Sequence, residues 1–369
     1  MMKKNRMILM AGMILAASAA LCSCQEATDV PLQTTPSVAE TTAVTTHTHV
    51  WGDWTTKREA TKTEDGESVQ SCAECGEENT QVLYAVGSEG LRFSPIGEAY
   101  SVVKIGTCKD EEIVIPAYYN GKPVVSVGKA AFSDCDTIKS VTFLGNVETI
   151  EQDAFAKCDR LEKVVLCEGL KTMGGQAFFR SSALAQVDLP QSLTVIENSA
   201  FLECSSLQSI RVPDSVSRIG EYAFRDCANL QEATLGAGVT TIGRYAFYGC
   251  ERLQAIELPV GLNSMEEFAF AMCGSLEELV IPEGVTVLRE SLLYGCTKLK
   301  SLTIPKSVEQ IEKLLFSGDE RGLTITYNGS MSDWNAIEKA AYWDELSEYY
   351  PMPNCDYTVQ CSDGLIRKP

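Results

Sequence analysis

Two histidines and two cysteines near the start of the chain have the types and spacing of a metal site. His47 and His49 stand two residues apart, Trp51 and Trp54 follow, and Cys72-Ala73-Glu74-Cys75-Gly76 comes after a short interval. On extended backbone, residues two apart face the same way, so both imidazoles can reach one ion. The sulfurs of a C-x-x-C turn converge similarly. Two nitrogens and two sulfurs complete a tetrahedral zinc site with no open position, which makes the ion structural rather than catalytic. Such a zinc would also explain how residues 47–82, with few apolar side chains, fold at all. The alternative is a Cys72–Cys75 disulfide or redox pair, with the histidines in a linker.

Other chemistry is poorly provided for. The chain has 2 histidines, and none lies beyond residue 49, so a histidine-dependent triad has no base in the rest of the chain. A carboxylate-based glycosidase needs two carboxylates facing each other across a cleft. Glu266/Glu267 and Glu277/Glu278 are sequence neighbours, which on extended backbone point to opposite faces. No glycine-rich phosphate loop stands out. The expectation is a binding protein and not an enzyme. The net charge of −19 argues against nucleic acid as a partner.

The first residues read as an address. Lys3, Lys4 and Arg6 precede an apolar stretch, Met7 to Leu21, that is too short for a comfortable membrane span, so 1–23 reads as a secretory signal. Leu21-Cys22-Ser23-Cys24 resembles a bacterial lipobox. That resemblance implies cleavage before Cys24, a diacylglycerol on its thiol, and attachment to the extracellular face of a membrane. A signal without lipid is the alternative. Residues 24–46 are rich in Thr, Ala, Pro and Glu and cannot bury enough surface to fold, so they read as a disordered tether.

The elements that would carry a binding surface are set by a repeat. Ala131-Phe132, Ala154-Phe155, Ala177-Phe178, Ala200-Phe201, Ala223-Phe224, Ala246-Phe247 and Ala269-Phe270 recur at steps of 23 residues, and Leu292-Leu293 and Leu315-Phe316 keep the register. A second column runs Val127, Ile150, Met173, Ile196, Ile219, Ile242, Met265, Leu288, Ile311. A third runs Cys135, Cys158, Ser181, Cys204, Cys227, Cys250, Cys273, Cys296 and ends in Asp319. Each coil is too small to bury its apolar side alone, and stacking makes one continuous core. Pieces such as Leu207-Gln208-Ser209-Ile210-Arg211-Val212-Pro213 read as strands ended by proline. At about 4.8 Å between coils, nine coils span roughly 40 Å. The third column needs a small inward residue, so stacked free thiols are expected rather than a disulfide ladder.

The unit C-x-x-L-x-x-I-x-L-P…I-x-x-x-A-F-x-x-C is similar to the BspA-like (Treponema-type) leucine-rich repeats, over Val127 to Tyr327. Ile113-Val114-Ile115-Pro116 with Tyr119-Asn120-Gly121-Lys122-Pro123 looks like that family's usual first repeat with a hairpin-like insertion. Asp333-Trp334-Asn335, Trp343 and Tyr357 to Gly364 look like its C-terminal closure. The resemblance implies a surface protein that contacts host proteins, other bacteria or the extracellular matrix. Residues 47–82 resemble small Trp/Cys modules found beside such repeats, but Lys62 stands where the module has its first cysteine, so one ligand that the resemblance implies is missing.

The expected fold is a β-rich leucine-rich repeat solenoid of about nine 23-residue coils. Residues 83–126 would form an N-terminal β cap and a longer first repeat, 127–327 the repeats, and 328–369 a helix-containing C-terminal cap. Ser332 is the expected start of a helix through Trp334, Ile337 and Ala341. Cys355 and Cys361 lie outside the ladder, and their pairing is left open. The exposed mid-strand column reads Thr142, Val165, Asp188, Arg211, Thr234, Glu257, Val280, Thr303, chemically mixed as a recognition surface or any solvated face would be. Tyr222, Tyr245 and Phe268 precede Ala-Phe on three consecutive coils, with Phe179, Tyr248 and Tyr294 nearby. Aromatics dominate binding hot spots, so these six are the candidate ligand contacts; packing of the rings on one another along a ridge is the simpler reading. The functional expectation is a lipid-anchored surface protein binding a protein or carbohydrate ligand, with a structural or assembly role in a cell-envelope complex as the alternative.

Overall fold

The computed structural model describes residues 48–316, 321–344 and 356–367. The signal, Cys24, the tether, His47, Asp319 and Cys355 lie outside the described residues. From His49 onward the chain forms one compact unit.

From Ser140 to Ile311 each coil contributes two parallel strands, one of three or four residues and one of two. The longer strands stack with a constant offset: Lys163–Val165 pairs with Gln186–Asp188 as Lys163 to Gln186, Val164 to Val187 and Val165 to Asp188. The shorter ones do the same, Thr149 to Thr172 and Ile150 to Met173. In the longer strand only the middle residue faces inward, so Val164, Val187, Ile210, Ala233, Ile256 and Leu279 are buried while both neighbours are exposed. The proline after the strand starts a turn. Pro190, Pro213, Pro259 and Pro305 each accept a backbone hydrogen bond from the residue three further on.

The Ala-Phe column fills the centre. Phe132, Phe155, Phe178, Phe201, Phe224, Phe247 and Phe270 form one file of rings with centroids 5.0–5.5 Å apart and planes within 15° of parallel. At that separation the rings are offset-stacked, which adds to their area burial. The residue before each Ala-Phe is left-handed throughout: Ala130, Asp153, Gln176, Ser199, Tyr222, Tyr245, Phe268, Ser291 and Leu314 have φ between 53° and 61°. This conformation costs an L-residue about 1–2 kcal/mol. It turns the N–H toward the next coil, where Tyr222 donates to Arg244 O at 2.9 Å and Tyr245 to Glu267 O at 3.1 Å. The inter-coil hydrogen bond offsets the strain.

From Cys158 onward the third column consists of side chains that donate between coils, while Cys135 on the first coil lies 3.4 Å from Thr137 Oγ1. Cys158 Sγ donates to Phe132 O at 3.1 Å, Cys204 to Phe178 O at 3.1 Å, and Cys227, Cys250, Cys273 and Cys296 to the matching phenylalanine carbonyls at 3.2 Å. Ser181 makes the same bond to Phe155 O at 2.7 Å. The position therefore requires a small side chain with one donor, and this explains why serine replaces cysteine there.

At the first coil, Arg92–Ile96 pairs antiparallel with Ala99–Lys104 across Gly97, and Ala99–Lys104 pairs parallel with Lys122–Val127. Asn120 (φ 49°) and Gly121 (φ 73°) are both left-handed and close the hairpin between Tyr118–Tyr119 and Lys122–Val127, as a type I′ turn demands. At the far end Arg321–Tyr327 and Asp356–Cys361 extend the longer-strand sheet in parallel, and Gly364–Arg367 reverses direction at its edge. The expected terminal helix is shorter and begins earlier than the sequence suggests. It spans Met331–Ala336, capped by Ser330 and not Ser332, because Ser330 and Asp333 satisfy each other's backbone N–H in a capping box. It stops before Ala341 because Glu338–Lys339 pairs with Gln310–Ile311.

Residues before the solenoid form a separate three-stranded antiparallel sheet of Thr55–Arg58, Gly66–Ser71 and Glu78–Leu83. Two of these strands are exposed almost throughout, so the sheet has little apolar core.

Candidate functional site

In the small sheet, Cys72 directly follows the central strand and makes an isolated bridge to Trp51. Its amide donates to Glu77 O at 2.8 Å and its carbonyl accepts from Gly76 at 3.0 Å, which folds Cys72–Gly76 into a tight turn that Gly76 closes at φ 72°. The turn brings Cys75 Sγ to 3.5 Å from His49 Nδ1. One donor atom each from His49, Cys72 and Cys75 lies within 4.8 Å of the other two. The other imidazole nitrogen of His49, Nε2, is 3.3 Å from Glu77 Oε2, and the ring stacks on Trp51 at 4.9 Å. The Cys75 thiol lies above its ordinary value: the Glu77 backbone N–H works against the rise, while desolvation and the Cys72 thiol produce it. Three of the four sequence-predicted ligands are thus together, and His47 is outside the described residues. Lys62 turns the other way, to Asp110 at 2.8 Å and to Glu112 O at 2.7 Å.

On the solenoid, Tyr222 and Tyr245 stack at 5.2 Å and Tyr245 and Phe268 at 4.7 Å, with Tyr248 edge-on to Tyr245 at 5.4 Å. All four are half-buried. Arg225 lies over Tyr222, Tyr245 and Tyr248 at 5.7, 5.7 and 5.0 Å, and Arg244 lies over Tyr245 at 5.2 Å. The left-handed backbone at Tyr222, Tyr245 and Phe268 aims that file outward along one ridge, and Tyr248 packs beside it. Phe179 has a cation–π contact of its own with Arg180, and neither it nor Tyr294 has a ring contact with this group among the described residues. Of the six candidate contacts, four form the ridge.

Three of the four carboxylates flagged in the sequence, Glu266, Glu267 and Glu277, are engaged in ion pairs or hydrogen bonds. Glu277 pairs with Lys300 at 2.9 Å, and that ammonium holds its carboxyl below the ordinary range. Glu267 lies 3.8 Å from Arg244, and Glu266 accepts from Ser264 at 2.7 Å.

The family model of the BspA type Leucine rich repeat region matches residues 107–231 and 217–345 with six copies. The chain belongs to the BspA-type leucine-rich repeat family. A leucine-rich repeat protein of T. pallidum is 31% identical, with a TM-score of 0.49 over 51% of this chain and 88% of that one. One from Bacteroides ovatus is 23% identical, with a TM-score of 0.48 over 65% and 70%. A leucine rich cell surface protein of Faecalibacterium prausnitzii is 23% identical, with a TM-score of 0.30 over 68% and 96%. Curated protein sequences give no match.

Within this BspA-type chain, sequence reasoning missed the groups that complete each site. Glu77 sits two residues past the C-x-x-C pair, and no pattern ties it to His49. Arg225 follows Tyr222 by three residues and Arg244 precedes Tyr245 by one, so no common offset marks them, and only the stacked coils bring both over Tyr245. The repeat itself held the signal for Arg225, which lies three residues beyond Tyr222 and one coil before Tyr248.

Proposed function

We propose that this BspA-type protein is displayed on a bacterial cell surface, held by a lipid on Cys24, and that its solenoid captures a protein or carbohydrate ligand. The ridge of Tyr222, Tyr245, Tyr248 and Phe268 with Arg225 and Arg244 carries this reading. The core does not dictate aromatics there, since Ala130, Asp153, Gln176 and Ser199 hold the same column position on earlier coils with the same backbone. Rings with half-exposed edges and overlying guanidiniums combine the two side-chain classes that dominate binding hot spots. The reading includes no catalytic step.

The test uses the mature chain, immobilised and offered host matrix proteins and glycans. Capture of one such ligand is expected, and Tyr222→Ala with Tyr245→Ala is expected to weaken it at least about tenfold, the scale of a hot spot. Alanine keeps the backbone there, as Ala130 shows at φ 53°. The stacking lost in that double variant is worth about 0.5–1.5 kcal/mol per pair, so the melting temperature should fall only modestly. Unchanged capture with a large stability loss would make the ridge a packing feature. Co-purification with envelope proteins alone would assign the chain to an assembly role.

A further inference from the structure

The geometry points to a zinc ion held by His49 Nδ1, Cys72 Sγ and Cys75 Sγ, with Glu77 as the carboxylate that orients His49. Zinc bonds of about 2.3 Å to sulfur and 2.0–2.1 Å to nitrogen, at tetrahedral angles, put neighbouring donor atoms about 3.6 Å apart. Cys75 Sγ and His49 Nδ1 are 3.5 Å apart, and all three donors fall within 4.8 Å of one another. They come from two separate stretches of chain that meet at the Trp51–Cys72 bridge. An ion between them would join those stretches where backbone pairing supplies a single bridge.

The surroundings carry the same implication. Histidine ligands almost always give their second ring nitrogen to a carboxylate or carbonyl, which fixes the tautomer and the ring angle. Glu77 Oε2 at 3.3 Å from Nε2 leaves Nδ1 to the ion. The C-x-x-C turn is already folded, with Gly76 N–H on Cys72 O at 3.0 Å. The sheet around it is exposed along both outer strands and lacks the apolar core that holds a small domain together. Binding would need the two thiols to lose their protons, which the ion's charge drives at neutral pH.

The experiment is elemental analysis of the full mature chain, purified with reductant, loaded with zinc and desalted. About one zinc per chain is expected, as one three-donor cluster dictates. His49→Ala, Cys72→Ser and Cys75→Ser should each lose it. Glu77→Gln should retain the ion but release it to a competing chelator at about 10–100-fold lower chelator concentration. The solenoid's thermal transition in the same samples should stay in place, which separates loss of the ion from loss of the fold. No zinc retained by the wild-type chain, full zinc in the Cys72→Ser/Cys75→Ser double variant, or a Cys72–Cys75 disulfide in protein taken directly from cells would each overturn the assignment.

Discussion

Replacing Phe224 with alanine is expected to lower the free energy of unfolding by about 3–5 kcal/mol. The ring is fully buried, 5.3 Å from Phe201 on one side and 5.2 Å from Phe247 on the other. Its removal opens a cavity that the flanking coils cannot close, because both are fixed by their own backbone ladders. In a solenoid each coil touches only its neighbours, and stability is close to a sum of coil and interface terms. The cavity weakens two interfaces in the middle of the stack. Urea unfolding followed by far-ultraviolet circular dichroism should therefore show an earlier midpoint and a broadened or two-step transition as the two halves decouple. Phe224→Leu should cost far less, under about 1.5 kcal/mol, since Leu293 fills the same column position fully buried. A loss under about 1 kcal/mol for Phe224→Ala would mean that the file of rings is not what joins the coils.

The period made the ladder legible. A spacing that never slips forces Val164 to meet Val187, and the structure pairs them. Backbone conformation was not legible in the same way. The left-handed position before Ala-Phe holds Ala, Asp, Gln, Ser, Tyr and Phe, with no glycine or asparagine to mark it. Its conformation is imposed from outside, by the hydrogen bond to the next coil, so no local residue preference records it. The terminal helix shows a related limit. Ser330 and Ser332 are both plausible caps by type, and the reciprocal bond between Ser330 and Asp333 decides between them. It was readable only by preferring Ser-x-x-Asp over Ser-x-x-Asn.

The sites divide along the same line. His49, Cys72 and Cys75 announced themselves by residue type, and Tyr222, Tyr245 and Phe268 by recurrence. Glu77, Lys62, Arg225 and Arg244 did not, because charged side chains are common on any surface and their meaning lies in where they reach. Lys62 breaks the pattern of the modules this stretch resembles, and its contacts with Asp110 and Glu112 give that departure a physical role: it ties the small sheet to the first strands of the solenoid.

The cysteine column sets the largest dependence on solution conditions, a loss of stability in alkali. Cys158, Cys204, Cys227, Cys250 and Cys273 are buried, and desolvation pushes each thiol up, to about 12 for Cys158 and Cys273. In the unfolded chain the same thiols ionise near their ordinary value of 9.0. Below that pH both states hold the protons and the column is indifferent to pH. Above it the unfolded chain releases protons that the folded chain keeps, so stability falls as pH rises. Each thiol contributes about 1.4 kcal/mol per pH unit until the folded thiol itself ionises. Five together amount to roughly 7 kcal/mol per unit, against a total stability on the order of 5–15 kcal/mol for a domain. Cooperative unfolding is therefore expected within about one to two pH units above 9.0. Serine at positions 227, 250 and 273 provides the control, because Ser181 already keeps the donor bond in the same column and a hydroxyl does not ionise in this range. The triple variant should lose roughly three-fifths of these five thiols' share of the slope of unfolding free energy against pH, measured by urea titration at intervals from pH 8 to 11. An unaltered slope would move the alkaline loss away from the thiols and onto the tyrosines and lysines, and would mean that these buried sulfurs are less desolvated than their place between the coils requires.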